Sequence, residues 1–307
     1  MKGVVVKSTG SWYVVRDAEH TLHRARLRGK FKLKGMKVSN PLAVGDHVEF
    51  DIEDTGEDTV VIHKIADREN YIIRQSTHKS AHAHIIAANL DQALLIVTLV
   101  SPRTSFGFID RFLVTAEAYD ISTTLVFNKT DLYDADVQEY QRQISHMYAR
   151  IGYNSVAVSA MAEEGMDALL ALLQGKTTLL SGHSGVGKST LINLLVPDLQ
   201  LKTSGISDFS DKGVHTTTFA EMFEVSPGTY IIDTPGIKEL GIVDIPAAEL
   251  GHYFPEMRER LNQCRFNNCT HFNEPGCAIV EAVRQNDISL SRYESYLSML
   301  HGGDNRK

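Results

Sequence analysis

The chain has 307 residues, 43% apolar and 22% charged, enough for about two domains with packed cores and inconsistent with global disorder. Its longest apolar stretch, Ala93 to Val100 with Thr98 inside, falls well short of the roughly 20 residues of a membrane-spanning helix, and MKGVVVKSTGSWYVV lacks the apolar core of a secretory signal. A formal net charge of −7, from 31 basic and 38 acidic residues, leaves any nucleic-acid partner to a local patch.

From Met1 to about Ala66 the pattern is β. Short runs rich in β-branched or aromatic residues (Val4 to Val6, Trp12 to Val15, His23 to Lys34, His47 to Ile52, Thr59 to Ile65) are separated by glycines, which predicts a small barrel or sandwich over 1–68. Within RARLRGKFKLK, Arg24, Arg26, Arg28, Lys30, Lys32 and Lys34 alternate with Ala25, Leu27, Phe31 and Leu33 around Gly29. At the two-residue period of a strand, one face is apolar and the other a row of cations. That row reads either as a solvated outer face or as a surface that tracks phosphates.

Residues 69–89 are polar and carry Arg74, His78, Lys79, His82 and His84 without an accompanying cysteine or ligand-like carboxylate, so they read as a connector rather than a metal site. From Leu90 to about residue 244 apolar strands alternate with helical segments, the pattern of a mostly parallel sheet covered on both faces. Residues 245–307 read as helical, broken by a cysteine cluster.

The chemistry falls at strand ends. After the strand at Thr178 to Leu180 comes Gly182-His183-Ser184-Gly185-Val186-Gly187-Lys188-Ser189, then a helix. This is a phosphate loop in the setting it needs: glycines let backbone N–H groups wrap phosphates at a helix N-terminus. Lys188 offers a point charge, and the Ser189 hydroxyl a magnesium ligand. Asp233-Thr234-Pro235-Gly236 ends another strand, with Asp233 suited to the magnesium shell and the Gly236 N–H to the γ-phosphate. Between them, GVHTTT suggests a mobile segment whose Thr217, or failing that Thr216, meets the metal. Asn128-Lys129-Thr130-Asp131 closes a third strand. There Asp131 can accept from guanine N1–H and the 2-amino group, donors that adenine lacks. Asn128 can brace neighbouring loops, the Lys129 stem can cover the base, and Ser159-Ala160 can offer an N–H to the guanine 6-oxygen. Together these fragments predict a guanine nucleotide pocket.

Their order is shuffled: NKxD and Ser159-Ala160 precede the phosphate loop, where an ordinary GTPase has them after it. A circular permutation reconciles the two, and it makes the segment after DxxG run straight into the C-terminal region. There, Cys264, Cys269, His271 and Cys277 follow C-x4-C-x-H-x5-C and include all three cysteines of the chain. Three thiolates and an imidazole suit a tetrahedral zinc with no open position, hence a structural site in a reducing compartment.

NKTD, GHSGVGKS, GVHTTT, DTPG and CRFNNCTHFNEPGC, in this order behind a β-rich head, strongly resemble the ribosome small-subunit-dependent GTPase A family, the RsgA/YjeQ group of circularly permuted GTPases. The resemblance implies an N-terminal OB-fold, an α/β permuted core and a C-terminal helical zinc-binding domain. It implies a GTPase stimulated by the small ribosomal subunit and acting late in its maturation, and the cysteine usage leads us to expect a cytoplasmic location. By position, Asn128 to Asp131 and Gly182 to Thr190 would bind GTP, and the Cys3His set zinc. The basic strand face then gains ribosomal RNA as a partner. A monomer is expected, with no membrane anchor since the chain ends GGDNRK. Ile237 stands where many GTPases place a water-orienting Gln. Intrinsic hydrolysis should therefore be slow, with His215 or a ribosomal group positioning the water. An alternative reading is a nucleotide-gated RNA-binding switch in which hydrolysis only resets binding.

Overall fold

The computed structural model describes residues 1–10, 12–29, 41–52, 59–75, 83–196, 199, 220–234 and 245–303. Five strands, β1 (Lys2–Ser8), β2 (Tyr13–Asp17), β3 (Leu22–Leu27), β4 (His47–Ile52) and β5 (Thr59–Ile65), pair in the order β1-β2-β3-β5-β4. Pairing of β4 with β1 closes the barrel, with β3 and β5 parallel. Alternation explains the interior: Val5, Tyr13, Val15, Ala25, Val48, Phe50, Val60 and Ile62 point inward and pack together. Arg24, Arg26 and Arg28 are exposed around buried Ala25, as the alternation predicts. The regular strand stops at Leu27, earlier than expected, and Gly29 turns the chain with φ +71°. Lys30, Lys32 and Lys34 lie outside the described residues. The Arg24 guanidinium stacks 3.9 Å from the Trp12 ring centroid.

The supposed connector is more than a connector. Its described residues form an antiparallel ribbon of β6 (Tyr71–Gln75) and β7 (Ala83–Ala88). Ile72, Ile73, Ile85 and Ile86 are buried, wedging apolar surface between the barrel and the core. The remaining cationic residues of that stretch, His78, Lys79 and His82, lie outside the described residues. Gly45 is needed at this junction: its φ is +93°, and a Cβ there would lie 2.0 Å from the Ala88 carbonyl oxygen.

The α/β core follows as β8 (Gln92–Val97), α1 (Phe106–Ala118), β9 (Thr123–Phe127), α2 (Ala135–Ala149), β10 (Asn154–Ala157), α3 (Met166–Leu173), β11 (Thr177–Ser181), α4 (Lys188–Leu195), β12 (Glu221–Ser226) and β13 (Thr229–Asp233). The sheet order is β10-β9-β8-β11-β13-β12, parallel except for β12, and it continues through β12 into β1 of the barrel. Residues of β8 alternate between two cores. Ala93, Leu95 and Val97 meet Phe108 and Phe112 of α1 and Ile144 and Tyr148 of α2; Leu94 and Ile96 meet Leu169 and Leu173 of α3 and Leu191 and Ile192 of α4. Helices change faces between the β8 and β11 branches, which makes the carboxyl edge there the switch point where open α/β sheets bind ligands.

Two single-turn 3-10 segments (Leu250–Tyr253 and Leu261–Gln263), α5 (Pro255–Arg258), α6 (Ala278–Arg284) and α7 (Leu290–Leu300) complete the described C-terminal region. It packs on α1 through Val114, Phe254, Met257 and Tyr296. At this seam Arg292 of α7, 1% exposed, bonds Asp110 of α1 at 2.7 Å and Glu256 of α5 at 2.8 and 3.2 Å. The Tyr148 hydroxyl donates to Asp110 as well, at 2.7 Å. Burial alone would lower the Arg292 pKa, but the two carboxylates outweigh it and push it well above the usual guanidinium range. No described helix is long and apolar enough to cross a membrane.

Candidate nucleotide cleft and metal centre

Loops carrying the sequence motifs leave the same edge of the sheet, following β9, β10, β11 and β13. Asn128 joins three of them. Buried at the end of β9, it donates from Nδ2 to the Val186 carbonyl (2.8 Å) and accepts at Oδ1 from the Ala160 N–H (3.2 Å). One side-chain amide thus fixes the phosphate loop, the NKxD turn and the Ser159-Ala160 turn together. Gly187, at φ +90°, makes this approach: a Cβ would sit 2.5 Å from Asn128 Nδ2.

Asp131 lies in a single 3-10 turn, Thr130–Leu132, and is exposed. The Ser159 hydroxyl donates to its Oδ1 at 2.5 Å and accepts from the Ala162 N–H at 3.0 Å, which orients the carboxylate. The Thr130 N–H bonds the Val158 carbonyl at 3.3 Å, anchoring the same turn on β10. Lys129, at φ +65°, runs its stem past the phosphate loop to bond the Ser101 carbonyl at 2.6 Å. Burial lowers the ammonium pKa there, against the opposing pull of Asp131.

In the phosphate loop Val186 is buried while Ser184 and Gly185 are exposed; Lys188, Ser189 and Thr190, half-buried, open α4. Gly182 starts the loop, buried against β8. Lys188 forms an ion pair with buried Asp233 and donates to the Thr234 carbonyl at 3.0 Å. The groups read as the phosphate charge and the magnesium-shell carboxylate are therefore neighbours. His215, Thr216, Thr217, Gly236 and Ile237 lie outside the described residues. Two supporting residues had no sequence signal. Tyr133 donates to the Asn128 carbonyl (3.1 Å) and accepts from the Leu99 N–H (3.3 Å), and Thr104 meets His183 (2.7 Å).

Cys264, Cys269, His271 and Cys277 converge, with ligand atoms all within 4.8 Å of one another. His271 Nδ1 is 3.5 Å from both Cys264 Sγ and Cys277 Sγ. Zinc bonds of about 2.3 Å to sulfur and about 2.0 Å to nitrogen give tetrahedral edges of about 3.5 to 3.8 Å, so the donor set fits that ion. Burial pushes the Cys269 thiol up to about 12 and raises Cys277, and it lowers the His271 imidazolium. Crowded thiolates of this kind need a cation to offset their charge. The ligand loop is stapled by Glu274, which accepts from the Thr270 N–H and hydroxyl (both 2.6 Å) and from the N–H groups of Phe272 (3.0 Å) and Asn273 (3.1 Å). Partial burial would raise that carboxyl, but these donors hold it down at about 2. Tyr293 and Tyr296 of α7 donate to the carbonyls of His271 and Thr270 at 2.7 and 2.8 Å.

A family model described as RsgA GTPase matches residues 65–243, and one described as RsgA N-terminal domain matches residues 2–60. A Bacteroides fragilis protein named small ribosomal subunit biogenesis GTPase RsgA is 51% identical over all of this chain and 98% of its own length. Proteins of the same name from Phocaeicola vulgatus and Cytophaga hutchinsonii are 52% and 51% identical over all of this chain, covering 98% and 100% of their own. The crystal structure of YjeQ from Thermotoga maritima superposes with a TM-score of 0.78 at 36% identity, covering 100% of this chain and 99% of its own. YloQ, titled a circularly permuted GTPase, gives 0.73 at 30% identity over 100% and 96%.

Proposed function

The chain belongs to the RsgA GTPase family, and on that premise we propose that it hydrolyses GTP as an assembly factor in late maturation of the small ribosomal subunit, which stimulates it. The observation that carries this reading is the Asn128 amide holding the phosphate loop against the base-reading turns. Gly182 to Thr190 cradle the phosphates, with Lys188 supplying charge. Asn128, Lys129, Thr130, Asp131, Ser159 and Ala160 form the guanine side, where Asp131, oriented by Ser159, accepts from N1–H and the 2-amino group. Ser189 and Thr217 would hold magnesium, with Asp233 suited to its shell and the Gly236 N–H to the γ-phosphate. Bound magnesium neutralises charge developing on the transferred phosphoryl group. Lys188 and the loop amides are preorganised for the same charge, and His215 or a group from the ribosome positions the water.

Cys264, Cys269, His271 and Cys277 hold one structural zinc that fixes the ligand loop on α7. The exposed Arg24, Arg26 and Arg28 with the Trp12–Arg24 stack suit single-stranded ribosomal RNA, cations for phosphates and an aromatic for a base. The protein works as a cytoplasmic monomer without a membrane partner. GTP turnover measured alone and with purified small subunits tests the reading. A large stimulation is expected, lost by at least about a hundredfold in Lys188→Ala; turnover indifferent to both the subunit and Lys188 would refute it.

A further inference from the structure

His183 is a phosphate-loop residue whose ring is spent on α1. Its Nδ1 lies 3.0 Å from the Ser184 carbonyl oxygen, its Nε2 lies 2.7 Å from Thr104 Oγ1, and the Phe108 ring meets it edge-on at 5.4 Å. A carbonyl only accepts, so Nδ1 carries the proton. In the neutral imidazole Nε2 is then the acceptor and the Thr104 hydroxyl donates. Thr104 is 5% exposed, and its oxygen accepts in turn from the Thr98 N–H at 3.0 Å. Its own N–H closes back on the Thr98 carbonyl at 2.7 Å. The hydrogen bonds run one way, from the end of β8 through Thr104 into the phosphate loop.

The next residue, Ser105, caps α1 by accepting from the Phe108 N–H at 3.2 Å. Two residues past Phe108, and so on the opposite side of the helix, Asp110 holds Arg292 of α7, which holds Glu256 of α5. One thirteen-residue helix therefore meets His183 through Phe108, with the hydrogen bond to Thr104 just ahead of its N-cap Ser105, and has the C-terminal region seated on its far side.

We propose that His183 and Thr104 form a latch in which His183 is a positioning residue, holding the phosphate loop on α1 so that nucleotide grip and the seating of the metal-bearing C-terminal region are coupled. This rests on the GTPase reading above. A loosened loop grips GTP less in ground and transition states alike, so the effect belongs in KM rather than kcat.

The test uses the full-length, zinc-loaded protein and GTP. His183→Ala and Thr104→Val should each raise KM roughly three- to tenfold, the size of one net hydrogen bond, with kcat within about twofold. The double variant should be no worse than either single, and His183→Gln, which keeps an acceptor for Thr104, should rescue. Coupling is read at the seat: Glu256→Gln should raise KM about threefold in the otherwise unaltered chain and not further in His183→Ala. Additive effects in either pair, or an unchanged KM in Thr104→Val with thermal melting like the parent's, overturn the latch. Absence of GTP turnover in the parent protein would instead overturn the functional reading itself.

Discussion

The barrel and the C-terminal region are both fastened to the α/β core, by different physics. The barrel joins through backbone: β1 pairs with β12, Val44 bridges Ala87, and Val6 and Val44 enter the apolar core beside the ribbon. Its inter-domain charges keep some contact with solvent: Lys7–Glu221 has side chains 39% and 31% exposed, and Arg16–Glu224 14% and 30%. Arg16 pairs with Glu224 at 3.2 Å and lies 4.3 Å over the Tyr230 ring. The C-terminal region has an outer pair too, Arg258–Glu117, but it buries its central charges, so that Arg292 has a single acceptable seat between Asp110 and Glu256. A rim charge tunes an interface, whereas a buried charge makes any other seat costly by leaving ions unpaired.

Removing the metal should separate the two regions most. Chelation or Cys277→Ser should unfold the ligand loop and release it from α7, seen as lost zinc and a lost C-terminal melting transition while the barrel's transition remains. A C-terminal region that keeps its protection from hydrogen exchange after chelation would break the distinction.

Next in size is Arg292→Met, which leaves Asp110 and Glu256 buried without their cation. It should cost about 3–5 kcal/mol in denaturant unfolding of that region. A cost below about 1 kcal/mol would mean that apolar packing alone seats it.

The smallest effect belongs to the barrel. Arg16→Ala should cost about 1 kcal/mol or less, shrinking further as salt is raised. A loss as large as that of Arg292→Met would show that the barrel too is held by charge.

The convergence of the motif loops was legible because such loops are encoded over a few consecutive residues at strand ends, where Gly182, Lys188, Asn128 and Asp131 stand in fixed local spacing. The cysteine spacing had the same advantage. The alternation around Ala25 gave the barrel face as well, though it could not place the end of β3 at Leu27. The ribbon went unread because the polar residues of 69–89 masked Ile72, Ile73, Ile85 and Ile86, whose burial depends on the barrel loop packed against them. Asp110 and Arg292 lie 182 residues apart, and Thr104 and His183 lie 79 apart. No local period announces such pairs; only the folded chain, at and just ahead of α1, brings them together.

The central claim is that the shuffled motifs form one guanine-reading cleft, and Asp131 tests it most directly. Xanthine carries a 2-oxo acceptor where guanine carries an amino donor, so Asp131→Asn should lose GTP turnover by at least about a hundredfold and gain turnover of xanthosine triphosphate. Lys188→Ala in the same background should abolish the new activity. An Asp131→Asn protein that still hydrolyses GTP as the parent does, and ignores xanthosine triphosphate, would contradict the account.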